Sequence, residues 1–538
     1  MLPRGSRPWE INFARVDVCS FCFWWASPSG LVIWMNMAAK RSLSDRAVDG
    51  IAWQTVNIFG NIVLRAAILI ALTRSLEARD FGIIAAVTVI VSITETVGLI
   101  GVHRVIVQKK VLGEGTIKSA FSISLLSGLL LTTVLYQSAE LLESWLKLNG
   151  IAPFFEFLAV CLLVGSLASI PKSLLERDLR FKAISLVEIT SHLVGFGLVA
   201  LTLAYLDYGV WALAIGVLCQ VVLRAIMLFS LRRPAMAVFP QRGFVDDLVL
   251  PGLGFSAGQL GNFTATQVDN LIIGRMLGAD ALGYYSRAYQ FLMLPTQMFG
   301  TAVASVLFPT MATVQDQPKR VARAYMRAVD LIALLTLPVS GMLIIITPEL
   351  VRFVLGAKWI GMIIPLQILL ASLLFRTSYK ISDAVTLAIG SMNARARRQW
   401  IYAGLVIAGA TFGARWGLVG ATAGVGLAIV ANFLMMLRLV QRILKVPTSA
   451  LLSIHLRHLR NALLICLPVW LAAEAGRYFG ISDFLILLIS GSAGGLVTMV
   501  MWFQFRGLFG KNGDWLNNLI VERLSVVRKR ISKPKVNK

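Results

Sequence analysis

About fourteen apolar stretches of helix-spanning length follow one another along this chain, and its basic residues crowd onto only one set of the loops between them. A helix needs roughly 20 apolar residues to cross the hydrocarbon of a bilayer. Runs of that length fall near 50–72, 81–102, 119–139, 154–175, 184–206, 209–231, 249–273, 288–312, 328–350, 362–389, 400–414, 417–440, 461–479 and 482–503. Only 14% of the residues are charged, against about 25% in soluble domains. The chain is therefore expected to be an all-α, polytopic membrane protein.

The net charge of +24 on 538 residues does not point to nucleic acid, because of where the charge sits. With the first span starting inside, one set of loops and the C-terminal tail hold 35 Lys and Arg, and the opposite loops hold nine. Basic residues retained on the cytoplasmic side are the orientation rule for short loops. Both termini are expected in the cytoplasm. Residues 1–36 do not fit this pattern. Cys19 and Cys22 form a lone CxxC with no second ligand pair, and a start at Met35 or Met37 would leave Lys40, Arg41 and Arg46 as the anchor of the first span. The segment reads as a non-native or disordered extension. Cys161, Cys219 and Cys466 lie in separate apolar spans and read as small packing residues.

The chain also repeats. A shift of 201 residues sets Gly60, Asn61, Arg74, Leu76, Ala78 and Gly82 on Gly261, Asn262, Arg275, Leu277, Ala279 and Gly283. A shift of 208 sets Gly209, Gly216, Val217, Val222, Met227 and Leu231 on Gly417, Gly424, Val425, Val430, Met435 and Leu439. Each shift spans six helices, an even number that preserves orientation. The expected architecture is two six-helix bundles related by a parallel repeat, plus two extra C-terminal helices. Its divisions are a lobe over 37–242, a lobe over 243–445, two added helices over 446–505 and a basic cytoplasmic tail over 506–538.

Polar side chains line single faces of several spans, and ionisable groups in hydrocarbon cost several kcal/mol, about 2.5–3.5 on insertion scales. Gln259, Asn262, Thr266 and Asp269 fall within about 80° of one another on a helical wheel. Gln54, Asn57, Asn61 and Arg65 cluster in the same way on the first span, and Arg376, Lys380 and Asp383 share a face of the tenth. Ser185, Glu188 and His192 form a further stripe, as do Thr88, Ser92 and Glu95. Two readings stand for the neutral residues: hydrogen-bonding glue between helices, or the wall of a wet cavity. Arg224 lies near a span end, where its side chain could reach the interface. Arg65, Arg376 and Lys380 are deeper, and Asp383 is placed to relieve Lys380 but not Arg376. This cationic cluster reads as an anion receptor, with internal ion pairing as the alternative. Asp269, Glu188 and Asp383 are the candidates for ion coupling, and a structural ion pair, for instance with Arg65, is the other reading. Pro251, Pro295 and Pro338 sit where a helix would bend or break.

The run from Asp269 to Tyr289, DNLIIGRMLGADALGYYSRAY, resembles the signature of bacterial polysaccharide transporters of the Wzx/WzxC type, as do residues 73–82 and 174–182. That family belongs to the multidrug/oligosaccharidyl-lipid/polysaccharide exporter superfamily. The resemblance implies a MATE-like fold of two six-helix lobes around a central cavity. It further implies flipping of an undecaprenyl-pyrophosphate-linked oligosaccharide from the cytoplasmic to the periplasmic leaflet of the bacterial inner membrane, for lipopolysaccharide or exopolysaccharide synthesis. The expected partners are that lipid-linked glycan, membrane lipids, and a polysaccharide polymerase with its chain-length regulator; nucleic acid is not among them. Arg65, Arg376 and Lys380 would receive the pyrophosphate, while Asn61, Gln259 and Asn262 would bond the sugars. The competing readings are a MATE-type drug exporter, a peptidoglycan-precursor flippase, and a membrane glycosyltransferase or polymerase. The chain shows neither a nucleotide-sugar domain nor a large external loop, and its four His are scattered, with His455 and His458 in a basic loop. No catalytic residue, cofactor or metal is expected.

Overall fold

The computed structural model describes residues 60, 62–98, 101–109, 112–240, 245–301, 317–388 and 392–504. The N-terminal extension, Asn61 and the basic tail lie outside them. Among the described residues the chain is helical, with no strand. In chain order the helices are α1 (residues 62–75), α2 Ala78–Gly98, α3 Val102–Gln108, α4 Glu114–Gln137, α5 Ala139–Leu146, α6 Ala152–Arg177, α7 Phe181–Tyr205 and α8 Val210–Leu231. The run Val245–Pro295 breaks at Gly278 (φ 90°, ψ 178°) into α9 (245–277) and α10 (279–295). After it come α11 Pro318–Leu350, α12 Ile363–Ala371, α13 Leu373–Ala388, α14 Met392–Gly413, α15 Gly417–Leu444, α16 Thr448–Tyr478 and α17 Asp483–Gln504. Eight described helical segments are long and apolar enough to cross a membrane. The stretches Ala357–Ala371 and Leu373–Thr386, bent by 43°, make a ninth.

Several span boundaries differ from the sequence expectation, the ninth among them, since its helix starts at Pro318 and not near 328. The eighth span begins at residue 279 rather than 288, because Gly278 alone supplies the turn: only glycine adopts that backbone conformation without strain. Asp280, Tyr284, Ser286 and Arg287 made this first part look like a loop. The eleventh span is not short but runs Met392–Gly413. The thirteenth starts at Thr448, so His455 and His458 lie in a helix and not in a basic loop. Proline acts unevenly. Pro295 closes α10 before a wider turn at Thr296–Thr301, whereas Pro338 is carried inside an unbroken α11.

The two-lobe architecture leaves its mark in the packing. Gly216 and Gly424 are repeat mates, and each lets its helix lie against the preceding one, on Gly195 and Ala200 in the first lobe and on Gly409 in the second. Small residues at such crossings permit the close approach that substitutes for hydrophobic drive in lipid. The two added helices attach to the second lobe. His458 of α16 bonds Asp330 of α11 at 2.8 Å in a buried pair. At the other end of α11, Arg477 grips the fully buried Glu349 carboxylate at 2.9 and 3.0 Å, and Arg352 bridges Glu349 and Asp483.

Candidate functional site

The second lobe holds its buried charge in a cage of phenols. Asp269 lies nine residues before the Gly278 break, about 13 Å along the helix, and is 1% exposed. Tyr285, on the far side of the break, donates its hydroxyl to the Asp269 carboxylate at 2.5 Å. One turn further, Tyr289 accepts a hydrogen bond from Arg376 Nη2 at 2.6 Å, and Tyr402 of α14 accepts from Nη1 at 2.9 Å. The guanidinium also lies 5.5 Å from the Tyr289 ring centroid, a favourable cation–π distance. Arg376 is only 4% exposed, and its Nε has no hydrogen-bond partner. Four helices thus meet around a buried cation bonded to neutral oxygens.

The neighbouring charges settle differently from the sequence expectation. Asp383 does not relieve Lys380: both its carboxylate oxygens bond Arg395, across the break between α13 and α14. Lys380 is half-buried, and the charge within its electrostatic reach is Arg376. No ion pair to it occurs among the described residues.

In the first lobe Glu188 is ion-paired with Lys172 at 3.1 Å and faces Arg224 at 4.0 Å. Arg224 therefore reaches a carboxylate, which the span-end reading did not anticipate. Arg65 is exposed on α1 within electrostatic reach of Glu188 and His192. The structure thus pairs Glu188 with Lys172 and Arg224, with Arg65 only within electrostatic reach, and sets Arg376 within electrostatic reach of Asp269 and Lys380. It does not bring Arg65 and Arg376 together. Asn61, and the side chains of Gln259 and Asn262, lie outside the described residues.

Sequence reasoning missed Arg287, which the Gly278 turn places two turns inside α10. Its guanidinium lies over the Phe81 ring of the opposite lobe at 4.8 Å, and its Nε is buried without a hydrogen-bond partner. The recoverable signal was the helical spacing of Tyr285, Ala288, Tyr289 and Leu292, all buried.

Above Arg287 the base-poor end of the molecule is closed by contacts between lobes. Arg74 donates to the carbonyls of Phe353 and Val354 at 2.7 and 3.1 Å. Lys358 donates to the Arg74 carbonyl at 2.9 Å, and Trp359 Nε1 to the Thr73 carbonyl at 2.8 Å. Arg275, the repeat mate of Arg74, reaches the other way, to the carbonyl and over the ring of Trp145. Between these two latches α2 and α10 cross at Gly82 and Gly283, where a side chain on either would overlap the other helix's backbone.

Two lobes, a closed end and buried cations beneath it define a polytopic membrane protein of the two-lobed exporter architecture. Residues 71–364, more than half of the chain, match the family described as Polysaccharide biosynthesis protein, and the chain belongs to that family. It is 23% identical over 336 residues to the lipopolysaccharide biosynthesis protein WzxC of Escherichia coli (strain K12), covering 61% of this chain and 67% of that one. It is 25% identical over 313 residues to the succinoglycan biosynthesis transport protein ExoT of Rhizobium meliloti (strain 1021), covering 57% and 62%. Its fold is that of the lipid II flippase MurJ in an inward closed conformation, with a TM-score of 0.68 at 15% identity over 84% of this chain and 99% of that one. An inward-facing MATE family transporter of the MOP superfamily shares the fold with a TM-score of 0.57 at 16% identity, covering 75% and 99%.

Proposed function

We propose that this protein flips an undecaprenyl-pyrophosphate-linked oligosaccharide from the cytoplasmic to the periplasmic leaflet of the bacterial inner membrane, with both termini cytoplasmic. The observation that carries the reading is the closed base-poor end: repeat-related residues seal the two lobes there, over buried cations whose bonded partners are phenols, a ring or nothing. In the proposal that end is periplasmic, and alternate closure of the two ends moves the headgroup without opening a continuous pore. The lobes correspond to 37–242 and 243–445, with 446–505 as added helices.

Phosphate oxygens are stronger acceptors than phenols for a guanidinium, because both partners are then charged and two parallel N–H···O bonds can form to one group. Arg376 would exchange Tyr289 and Tyr402 for the pyrophosphate when the cavity fills, with Lys380, Arg65 and Arg287 adding charge. Asn61, Gln259 and Asn262 are proposed for the sugars. Asp269, Glu188 and Asp383 are proposed to couple an ion to the switch, through their bonds to Tyr285, to Lys172 and to Arg395. No bond in the substrate is broken, and a polymerase with a chain-length regulator would take the delivered glycan. The names WzxC and ExoT belong to proteins of polysaccharide synthesis and transport, which supports a glycan cargo.

The test is reconstitution in liposomes loaded with candidate lipid-linked oligosaccharides, scoring which become accessible on the far leaflet. Movement of an organic cation drug, with no response to the lipid-linked glycan, would overturn the assignment.

A further inference from the structure

The opposite, basic end of the bundle holds a groove apart from the Arg376 and Arg287 sites. It lies where the first turns of α11 meet the turn between α15 and α16, and encloses about 610 Å3. Lys319, Arg323, Arg327 and Lys445 line it, together with the apolar side chains of Met326, Leu444 and Val446. Its cations are exposed, while Leu444 and Val446 are buried at 7% and 8% exposure.

The arrangement is built by local rules. Lys319, Arg323 and Arg327 recur every four residues, so they share one face of α11 and repel one another. Lys445 adds a fourth charge from the residue that ends α15, where φ is 52°. No carboxylate is among the lining residues. The three helices concerned all belong to segments that cross the membrane by length and composition, and the groove lies at their ends on one side. Arg323, Arg327 and Lys445 lie just beyond the apolar stretches 328–350 and 417–440, so the proposal sets the groove at headgroup depth. Basic pockets between membrane helices at this level bind phosphate-bearing lipid headgroups.

We propose that this groove binds an anionic phospholipid of the surrounding leaflet, with its phosphate on Lys319, Arg323 and Lys445 and its first acyl carbons over Met326, Leu444 and Val446. The lipid joins the second lobe to the added helices, since α11 and α15 belong to the lobe and α16 begins the addition. This site goes beyond the translocation reading and depends only on the chain's lying in a bilayer.

The full chain in detergent is mixed in separate arms with phosphatidylglycerol, phosphatidylcholine, a polyprenyl diphosphate and inorganic phosphate, and bound lipid is counted by native mass spectrometry. The expected result is a preference for phosphatidylglycerol over phosphatidylcholine of at least about ten-fold, from three basic residues near the phosphate. The triple variant Lys319→Gln, Arg323→Gln, Lys445→Gln loses that preference. A control pair elsewhere on the same end, Arg180→Gln with Arg233→Gln, keeps it. The single Arg323→Gln, an exposed change, lowers it part-way and guards against misfolding of the triple variant. Equal binding of both phospholipids by the native chain overturns the site. So does a preference that survives in the triple variant, or one lost equally in the control. Binding of polyprenyl diphosphate or inorganic phosphate, with no binding of phosphatidylglycerol, assigns the cations to another source of phosphate and overturns the phospholipid proposal. None of these arms measures flipping, so failure here leaves the translocation reading standing.

Discussion

Gly82 and Gly283 stand 201 residues apart in sequence and back to back in space. A methyl on either would strike the carbonyl of the residue one turn before the other, Ala279 in one direction and Ala78 in the other. Two residues related by the internal repeat thus meet at the axis that relates their lobes. The contact is self-complementary, as at a two-fold interface between identical subunits. Both helices begin at this crossing, so a change here acts on the closed end.

A side chain at that crossing should hold the end open. Gly82→Ala or Gly283→Ala adds an atom with no room for it, and overpacking costs about 1–3 kcal/mol, which shifts the closed population roughly ten-fold. Ala86 lies one turn further along α2 on the same face and is 0% exposed. In a chain with its native cysteines replaced, a cysteine at Ala86 should react with a large, membrane-impermeant thiol reagent only when Gly82 or Gly283 has been changed. Equal protection in all three proteins would remove the crossing from the gate.

The two arginine latches should act separately, because Arg74 and Arg275 grip different loops. Each makes charge-assisted bonds to carbonyl oxygens, worth about 1.5–3 kcal/mol when buried and less at these exposed positions. Arg74→Ala and Arg275→Ala are each expected to raise labelling at Ala86 about five-fold, and together by about the product. Strictly equal effects of the single and double changes would show one shared latch instead.

The carbonyls that Arg74 grips belong to a segment held from outside the lobe. Arg352 lies in it, bonded to Asp483 of α17 and to Glu349, which Arg477 of α16 also holds, while the Phe353 and Phe484 rings sit 5.2 Å apart. Breaking a buried charge network leaves the remaining charges unpaired, at about 3–5 kcal/mol when fully enclosed; the half-exposed arginines here bring that to about 1–3. Glu349→Gln should lower thermal stability and also raise labelling at Ala86, as Arg74→Ala does. Loss of stability with unchanged labelling would confine the network to packing.

On the first lobe the same task falls to one carboxylate. Glu143 accepts the backbone N–H groups of Gly150 and Ala152 at 3.0 and 2.8 Å, beside the Trp145 carbonyl that Arg275 reaches. These donors favour the charged form and hold the Glu143 carboxyl below its usual 4.5. A depressed folded pKa means the tie is fully present above about pH 4.5 and is lost as pH falls through the lower, folded value. Proteolysis of the 147–152 loop should therefore speed up as the pH falls below 4.5. Glu143→Gln should show the faster rate at every pH.

How much of this was legible in the sequence depends on the distance over which each feature is encoded. Span positions rest on local hydropathy, and the Gly82–Gly283 relation was already present in the 201-residue identities. The start of α10 was obscured because Asp280, Ser286 and Arg287 are polar, and only Arg287 is spent on the other lobe, over the Phe81 ring, so local composition reads the stretch as a loop. Asp383 was matched to Lys380 by helical spacing, yet Arg395 competes from the next helix, which the periodicity of one span does not describe. Asp330 and His458 are 128 residues apart, and nothing local marks either as the other's partner.

Arg376 offers the sharpest separation of binding from packing. Its bonds to Tyr289 and Tyr402 hold it in the closed state, so Tyr289→Phe with Tyr402→Phe removes two acceptors and should lower thermal stability by about 1–3 kcal/mol. If phosphate replaces those phenols during transport, the same pair should tighten binding of lipid-linked pyrophosphate, because the competing acceptors are gone. Arg376→Lys keeps the charge but cannot bridge two oxygens from one planar group, and should slow flipping about ten-fold. Arg376→Ala should slow it by about 2–5 kcal/mol of lost binding, roughly thirty-fold or more, in protein that still reaches the membrane. A well-expressed Arg376→Ala protein that flips at the native rate would leave Arg376 a structural cation and move the search for the phosphate to Arg287 and Lys380.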